Sequence, residues 1–321
     1  MKRYQRIFSW TFVLPLVLAC QIGRAQELEK IFVGHSNIRN DIAALWVPKE
    51  LGIFRKHGLD VDIVLITGGV RMTQAILSGS APMGFTGATL VASAVAGGGG
   101  SVLVLGITNR LTYDIWAKPE IKRPEDLKAK TLAISSFGSS SHVASFLMLQ
   151  HLKIDEKKDR ITFLAIGDEP TRAQALIAGR IDATIVDPSV SAPLKERGFS
   201  YLGNLQQLGV PFVNNALVST RRYLKEHPRT AEAVVKSIVE GNAYMLNPAN
   251  RAKVTEILGK YLRLREKEAE KAYEDLLPKV ERKPYPSMDA VKEPSRSWDS
   301  ETPRSPSSSL KSWSMFLFCR N

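Results

Sequence analysis

The chain has 321 residues, a formal charge of +12 and only two cysteines, Cys20 and Cys319. That length supports two domains, each with its own apolar core, without staples. The basic excess lies in stretches such as KYLRLREKEAEK, where Glu alternates with Lys and Arg as on a solvated helix face; without a recurring aromatic interleaving, it argues against a nucleic-acid partner.

The first segment reads as a secretory signal. Lys2, Arg3 and Arg6 precede the apolar run IFSWTFVLPLVLAC, and Gly23-Arg24-Ala25 offers small residues at a cleavage site. The run is too short for a membrane span and contains Pro15. A competing route is the lipobox-like Val17-Leu18-Ala19-Cys20, which would acylate Cys20. Either route predicts a protein working outside the cytoplasm. Removing residues 1 to 25 takes away Lys2, Arg3, Arg6 and Arg24 and no acid, so the charge falls from +12 to +8. With Cys20 removed, no internal disulfide can form.

Beyond the signal, strand-like and helix-like segments alternate. IFVGH, VDIVLI, MGFTG and VLVLGIT read as strands separated by the helical IAALWVPKELG, VRMTQAILSG and TLVASAVAG. From residue 130 the order returns: TLAIS, helical HVASFLMLQHL, ITFLAI, helical TRAQALIAG, DATIVD and helical SAPLKERG. Each element lies close to 100 residues after its counterpart, and Ser36/Ser136, Ala44/Ala144, Ile66/Ile166, Gln74-Ala75/Gln174-Ala175 and Gly79/Gly179 keep that offset. The pattern predicts an α/β chain of two like lobes, each a mainly parallel sheet flanked by helices. Lobe one takes residues 27–112 and 215–292, lobe two residues 113–214, and the crossings fall near 109–118 and 209–217.

In open parallel sheets, ligands bind beyond the carboxyl ends of strands, where helix N-termini present N–H groups and a positive dipole end. Those positions here carry small polar residues. Ser36-Asn37 and the run Ser136, Phe137, Gly138, Ser139, Ser140, Ser141 follow the first strands of the two lobes. Thr67-Gly68-Gly69 and Gly167-Asp168-Glu169 follow the second, and Thr86-Gly87 and Asp187-Pro188 the third. Two such rims facing each other make a cleft between the lobes.

Several features have two readings. One serine suffices for a helix cap, so the hydroxyl-rich SSFGSSS points to ligand contact as well. Phe137 suits either an apolar part of the ligand or the core. Asp187 before Pro188 suits either a turn cap or a hydrogen-bond acceptor for a ligand N–H. Trp46 falls on an apolar helical stripe and is expected in the core. Gly97 to Gly100 lacks the GK[ST] ending of a phosphate loop and reads as a connection. His142 and His151 have no partner at metal-ligand spacing, and no common nucleophile, zinc or dinucleotide motif occurs, so neither a metal, a cofactor nor an enzyme is predicted.

The stretches LWVPKELGIFRKHGLDVDIVLITGG, QAILSGSAPMGFTG, KPEIKRPEDLKAKTLAISSFGSSS, QALIAGRIDATIVDPSV and FVNNALVSTRRYLKEHP resemble ABC-transporter substrate-binding proteins of the nitrate, sulfonate and taurine group. That class shares its domain with binders of thiamine-pyrimidine precursors. Together with VVKSIVEGNAYMLNP and LPKVERKPYPSMDAVK, the resemblance spans about residues 30 to 292.

The resemblance implies a monomeric periplasmic receptor whose two lobes close over a small solute and whose closed form is recognised by an ABC permease in the inner membrane. By position it puts Ser36, Asn37, Gly68, Gly69, Thr86, Gly87, Ser136 to Ser141, Asp187, Asn214 and Asn215 in the cleft. It does not transfer the ligand. An enzyme of the thiamine-pyrimidine synthase type, or a ligand-reading partner of a membrane sensor, are the alternatives. After residue 292 the chain departs from the family's usual ending: the Ser- and Pro-rich 293–321 read as a disordered tail, either natural or the product of a reading-frame change near Lys292.

Overall fold

The computed structural model describes residues 27–287 except 97 and 210. The segment read as a signal, with Cys20, and the tail 293–321 lie outside the described residues.

Two five-stranded mixed sheets organise the chain. In the first half, β1 (Glu29–His35), β2 (Leu59–Leu65), β3 (Met83–Thr86) and β4 (Ser101–Arg110) are separated by α1 (Ala43–Glu50), α2 (Ile53–Lys56), α3 (Gly69–Ser78) and α4 (Ala88–Ala96). The second half runs through β5 (Asp114–Ala117), β6 (Thr131–Ile134), α5 (Ser140–His151), β7 (Thr162–Ala165), α6 (Glu169–Ile177), β8 (Ala183–Val186), α7 (Ala192–Glu196) and β9 (Ser200–Asn204). The chain then returns through β10 (Pro211–Thr220) to α8 (Arg221–Glu226), α9 (Pro228–Met245), α10 (Arg251–Leu262) and α11 (Glu266–Leu276).

The first sheet has the order β2-β1-β3-β10-β4 and the second β7-β6-β8-β5-β9. β1 pairs in parallel with β2 and β3, and β6 with β7 and β8. β10 is antiparallel to β3 and β4, and β5 to β8 and β9. The two orders are therefore the same topology, and in each the antiparallel strand is the one laid down just after the chain crosses between lobes. β3 and β8 stand 100 residues apart, and so do the starts of α3 and α6.

The residues explain the layering. β3 and β8 are buried along their whole length, as expected of parallel strands covered on both faces. Gly34 and Gly84, adjacent in β1 and β3, leave room for Met72 of α3; a side chain on either would run into the Met72 thioether. This close approach seats α3 on the sheet and carries its first turn, Gly68-Gly69, to the strand ends. Gly79, at φ +81, ends α3 in the left-handed conformation that glycine adopts without strain.

On the other face α9 and α10 cover α1, and α11 packs on α10. Trp46 stacks on Tyr261 with ring centroids 4.8 Å apart and is 2% exposed, which places it in the core. Among the described residues, no helix is long and apolar enough to cross a membrane.

Candidate functional site

The carboxyl ends of both sheets face each other across a narrow cleft lined mostly by polar residues and glycines. Four helices begin at its walls. Gly69 opens α3 and Gly87 precedes α4 on one side; Ser139 and Ser140 open α5 and Asp168 and Glu169 open α6 on the other. Free N–H groups and positive dipole ends thus converge on one small volume. The first turn of α3 has no side-chain cap, whereas Ser139 caps α5 by accepting from His142 N at 3.3 Å and Asp168 caps α6 by accepting from Thr171 N at 3.0 Å.

Of the residues read from the sequence, Ser36, Asn37, Gly69, Gly87, Ser139, Ser140, Ser141 and Asn214 line this cleft together. Among the described residues, Asn37 Oδ1 is buried without a hydrogen-bond partner, as is Ser136 Oγ. A buried acceptor without a partner costs roughly 1–3 kcal/mol; the one on the lining residue Asn37 is a point where a ligand donor gains its hydrogen bond at little expense.

The remaining expected residues take other positions. Gly68, at φ +93, forms the turn into α3, and Thr86 lies fully buried, donating to Gly69 O at 3.4 Å. Gly138, at φ +79, shapes the serine loop. Phe137 is not in the core: it is 59% exposed, touches the His142 ring edge-on at 5.3 Å and is not among the residues lining the cleft. Asp187 is a turn cap with no exposed surface, accepting from Ser189 N at 3.1 Å and Ser189 Oγ at 2.8 Å. Asn215 donates to Asp41 Oδ2 at 3.2 Å beneath the cleft.

The serine loop largely bonds to itself. Ser139 Oγ donates to Ser136 O at 2.6 Å and accepts from Ser135 Oγ at 2.8 Å, and Ser141 Oγ accepts from Ser135 N at 2.8 Å. The excess of hydroxyls over one cap therefore fixes the shape of the loop that presents the α5 N-terminus.

Under the cleft floor lies a charged layer. Arg39 pairs with Asp41 and approaches Glu169 Oε1 at 3.6 Å; Glu169 Oε2 accepts from Asp187 N at 2.5 Å. Arg172 donates to Gly167 O at 2.5 Å, Ile185 O at 2.9 Å and Thr184 Oγ1 at 3.2 Å. Lys279, from the turn after α11, closes the layer on Asp187 at 2.8 Å. Of these groups, Glu169 and Arg172 reach the cleft, with Tyr113, whose hydroxyl donates to Asn214 Oδ1 at 2.9 Å.

Burial pushes the Glu169 carboxyl up to about 7 against the pull of Arg39 and Arg172. Burial likewise raises Asp114, on β5, to about 6, although Asn204 donates to it at 2.6 Å. Burial would raise Asp187 too, but Lys279 and Arg39 together outweigh it and hold that carboxyl well below its usual range. Burial lowers the Arg172 pKa, with Glu169 opposing.

Reading the sequence singled out Glu169 only as part of a rim and missed Arg39, Asp41, Tyr113, Arg172 and Lys279. Arg39 and Asp41 pair over two residues, but the contacts that tie this layer together, Arg39 to Glu169, Asp41 to Thr108, Tyr113 to Asn214 and Lys279 to Asp187, join residues far apart in sequence, so no local pattern marks them. Arg172 alone had a signal, lying one turn after Asp168 at the start of a helix on the rim.

Residues 39–252 match the family described as NMT1/THI5 like. A provisionally named binding protein of Brucella abortus strain 2308 is 24% identical over 223 residues, which cover 68% of this chain and 67% of that one. The alkanesulfonate-binding protein of Xanthomonas axonopodis pv. citri, solved with bound MOPS, superposes with a TM-score of 0.69 at 18% identity, covering 84% of this chain and 91% of the other. The periplasmic nitrate-binding protein of Synechocystis PCC 6803 gives a TM-score of 0.65 at 14% identity, covering 76% and 69%. The two lobes have the periplasmic-binding-protein fold.

Proposed function

Because the chain belongs to the NMT1/THI5-like family, we propose that it is an exported solute receptor that delivers a small polar or anionic organic molecule to an ABC permease in the inner membrane. The observation that carries this reading is the meeting of four helix N-termini on one interlobe cleft, with Asn37 Oδ1 buried there and unpaired. A sulfonate, nitrate or carboxylate group gains from the N–H groups and dipole ends of α3 and α5. The Asn37 oxygen takes a donor on the same or a neighbouring part of the ligand. The solved sulfonate- and nitrate-binding proteins of like fold support this chemistry.

Closure supplies the mechanism. Ser36, Asn37, Gly69 and Gly87 stand on one lobe and Ser139 to Ser141 with Glu169 on the other, so a ligand touching both binds the closed arrangement better and shifts the population toward it. The permease then reads the closed form. The segment before residue 27 delivers the protein to the periplasm.

Thermal unfolding in the presence of nitrate, short alkanesulfonates, taurine and aminopyrimidines tests the reading. A true ligand at 100 times its Kd stabilises the protein by about 2.7 kcal/mol. If no member of the panel moves the midpoint at millimolar concentration, this ligand class is wrong.

A further inference from the structure

The lobes approach each other closely where Gly87 faces Ser140. A methyl group placed on Gly87 would overlap Ser140 Oγ and stand 3.2 Å from Ser140 Cβ, both on the opposite lobe; the next atom, Asn214 O at 3.6 Å, is at ordinary contact distance. Gly87 is not among the glycines with positive φ, so its own backbone does not require glycine. The requirement comes from the other lobe alone.

Two hydrogen bonds cross at the same place. Ser140 Oγ donates at 3.2 Å to the carbonyl oxygen of Asn214, which β10 carries into the first sheet rather than the second lobe to which the sequence boundary assigned it, and Thr89 Oγ1, in the first turn of α4, donates to Gly138 O at 3.1 Å. Leu90 Cδ2 lies 3.7 Å from where a side chain on Gly138 would begin, so α4 and the serine loop are in van der Waals contact. The start of α4 and the start of α5 therefore dock on each other directly, beside the cleft that both line.

We propose that Gly87 and Ser140 form a closure latch: the serine loop seats its hydroxyl on the β10 backbone through the space that glycine leaves at position 87, and the depth of that seating sets how far the lobes close. Gly87 and Ser140 are positioning residues in this account. Their effect on a ligand passes through the distance between the two walls. The latch rests on the receptor reading for its biological use, but its geometry is read without any ligand, so failure to find a ligand leaves the test intact.

The test compares the full chain with Gly87→Ala, Ser140→Gly and the double variant. Spin labels at the exposed positions Ser78 and Ala178, at the far ends of α3 and α6, report the interlobe distance by pulsed electron resonance, with Cys20 and Cys319 replaced by serine in every sample. Gly87→Ala is expected to deplete the shortest distance population several-fold, because the added methyl turns the Ser140 hydroxyl off Asn214 O and crowds Ser140 Cβ at 3.2 Å. Ser140→Gly removes the obstructing atoms, so the double variant recovers the short population although each parent residue is gone. Circular dichroism confirms that all four proteins are folded. A Gly87→Ala distribution that matches the parent overturns the latch, and so does a double variant that stays as open as Gly87→Ala.

Discussion

Lys279 Nζ stands 2.8 Å from both carboxylate oxygens of Asp187 and 2.9 Å from Asn40 Oδ1, joining the turn after α11 to the third strand end of the other lobe. Both partners are buried, at 6% and 0% exposure, so neither can exchange the other for water. Replacing Lys279 by methionine strands a buried carboxylate and is expected to cost about 3–5 kcal/mol. Denaturant titration measures it. Lys279→Met combined with Asp187→Asn removes both charges and recovers part of the loss; a double variant as unstable as the sum of the two singles contradicts the pairing.

Ser139 is first of all a helix cap. Ser139→Ala deletes the acceptor of His142 N and the donor to Ser136 O and is expected to lower stability by about 1 kcal/mol. The conservative Ser139→Thr keeps both roles and retains most of that stability. Equal unfolding midpoints for the alanine variant and the parent would show that the loop holds its shape by other means.

The pH dependence of stability follows from Glu169. Its pKa, raised by burial from 4.5 to about 7, means that the folded chain holds a proton there that the unfolded chain releases. The sign is then fixed: this contribution is present below about 4.5 and is lost as pH rises through about 7. Asp114, raised to about 6, acts in the same direction. His35 and His142, lowered from 6.5 by burial, act oppositely, since each disfavours folding where the unfolded chain is protonated. Glu169→Gln isolates the carboxyl: between pH 5 and pH 8 the variant is expected to lose less stability than the parent by an amount on the order of 1–3 kcal/mol. Parallel stability curves for the two proteins would count against a raised Glu169.

The glycine pair under α3 gives a packing prediction. A methyl on Gly84 meets the Met72 side chain and, at 3.2 Å, the carbonyl oxygen of Gly34, which is backbone and cannot turn aside. Gly84→Ala is expected to cost about 1–3 kcal/mol, read from thermal or denaturant unfolding. A neutral result would mean that α3 lifts from the sheet without penalty.

Local pattern carried much of the fold. Apolar strands bounded by Gly and Ser, alternating with amphipathic helices, mark β1 to β4 and β6 to β8, and the offset of one hundred reappears in the matching strand orders. The strands that pattern did not reveal are β5, β9 and β10. DIWA is too short to show a period, and PFVNNALVST carries Asn214 and Asn215 at buried positions, where alternation would demand apolar residues. Those asparagines bond to Tyr113, Thr112 and Asp41, partners supplied by tertiary structure.

The cleft divides in the same way. Small residues at strand ends were legible because helix entry and backbone approach are local demands. The charged floor was not, because Arg39 with Glu169, and Asp187 with Lys279, exist as pairs only after the lobes have met. Asp187 shows the difference: next to Pro188 it looks like a turn residue, and nothing nearby announces its lysine.

The insertion of β10 between β3 and β4 constrains the order of assembly. All five strands of the second sheet come from one uninterrupted stretch, Asp114–Asn204, and can be complete while the chain is still being made. The first sheet has no such freedom: β3 and β4 remain unjoined edges until Pro211–Thr220 arrives, about a hundred residues after β4 is laid down. The earlier half in sequence is thus the later half to mature, and in that interval its open edges are the part of the molecule most in need of shielding from other chains.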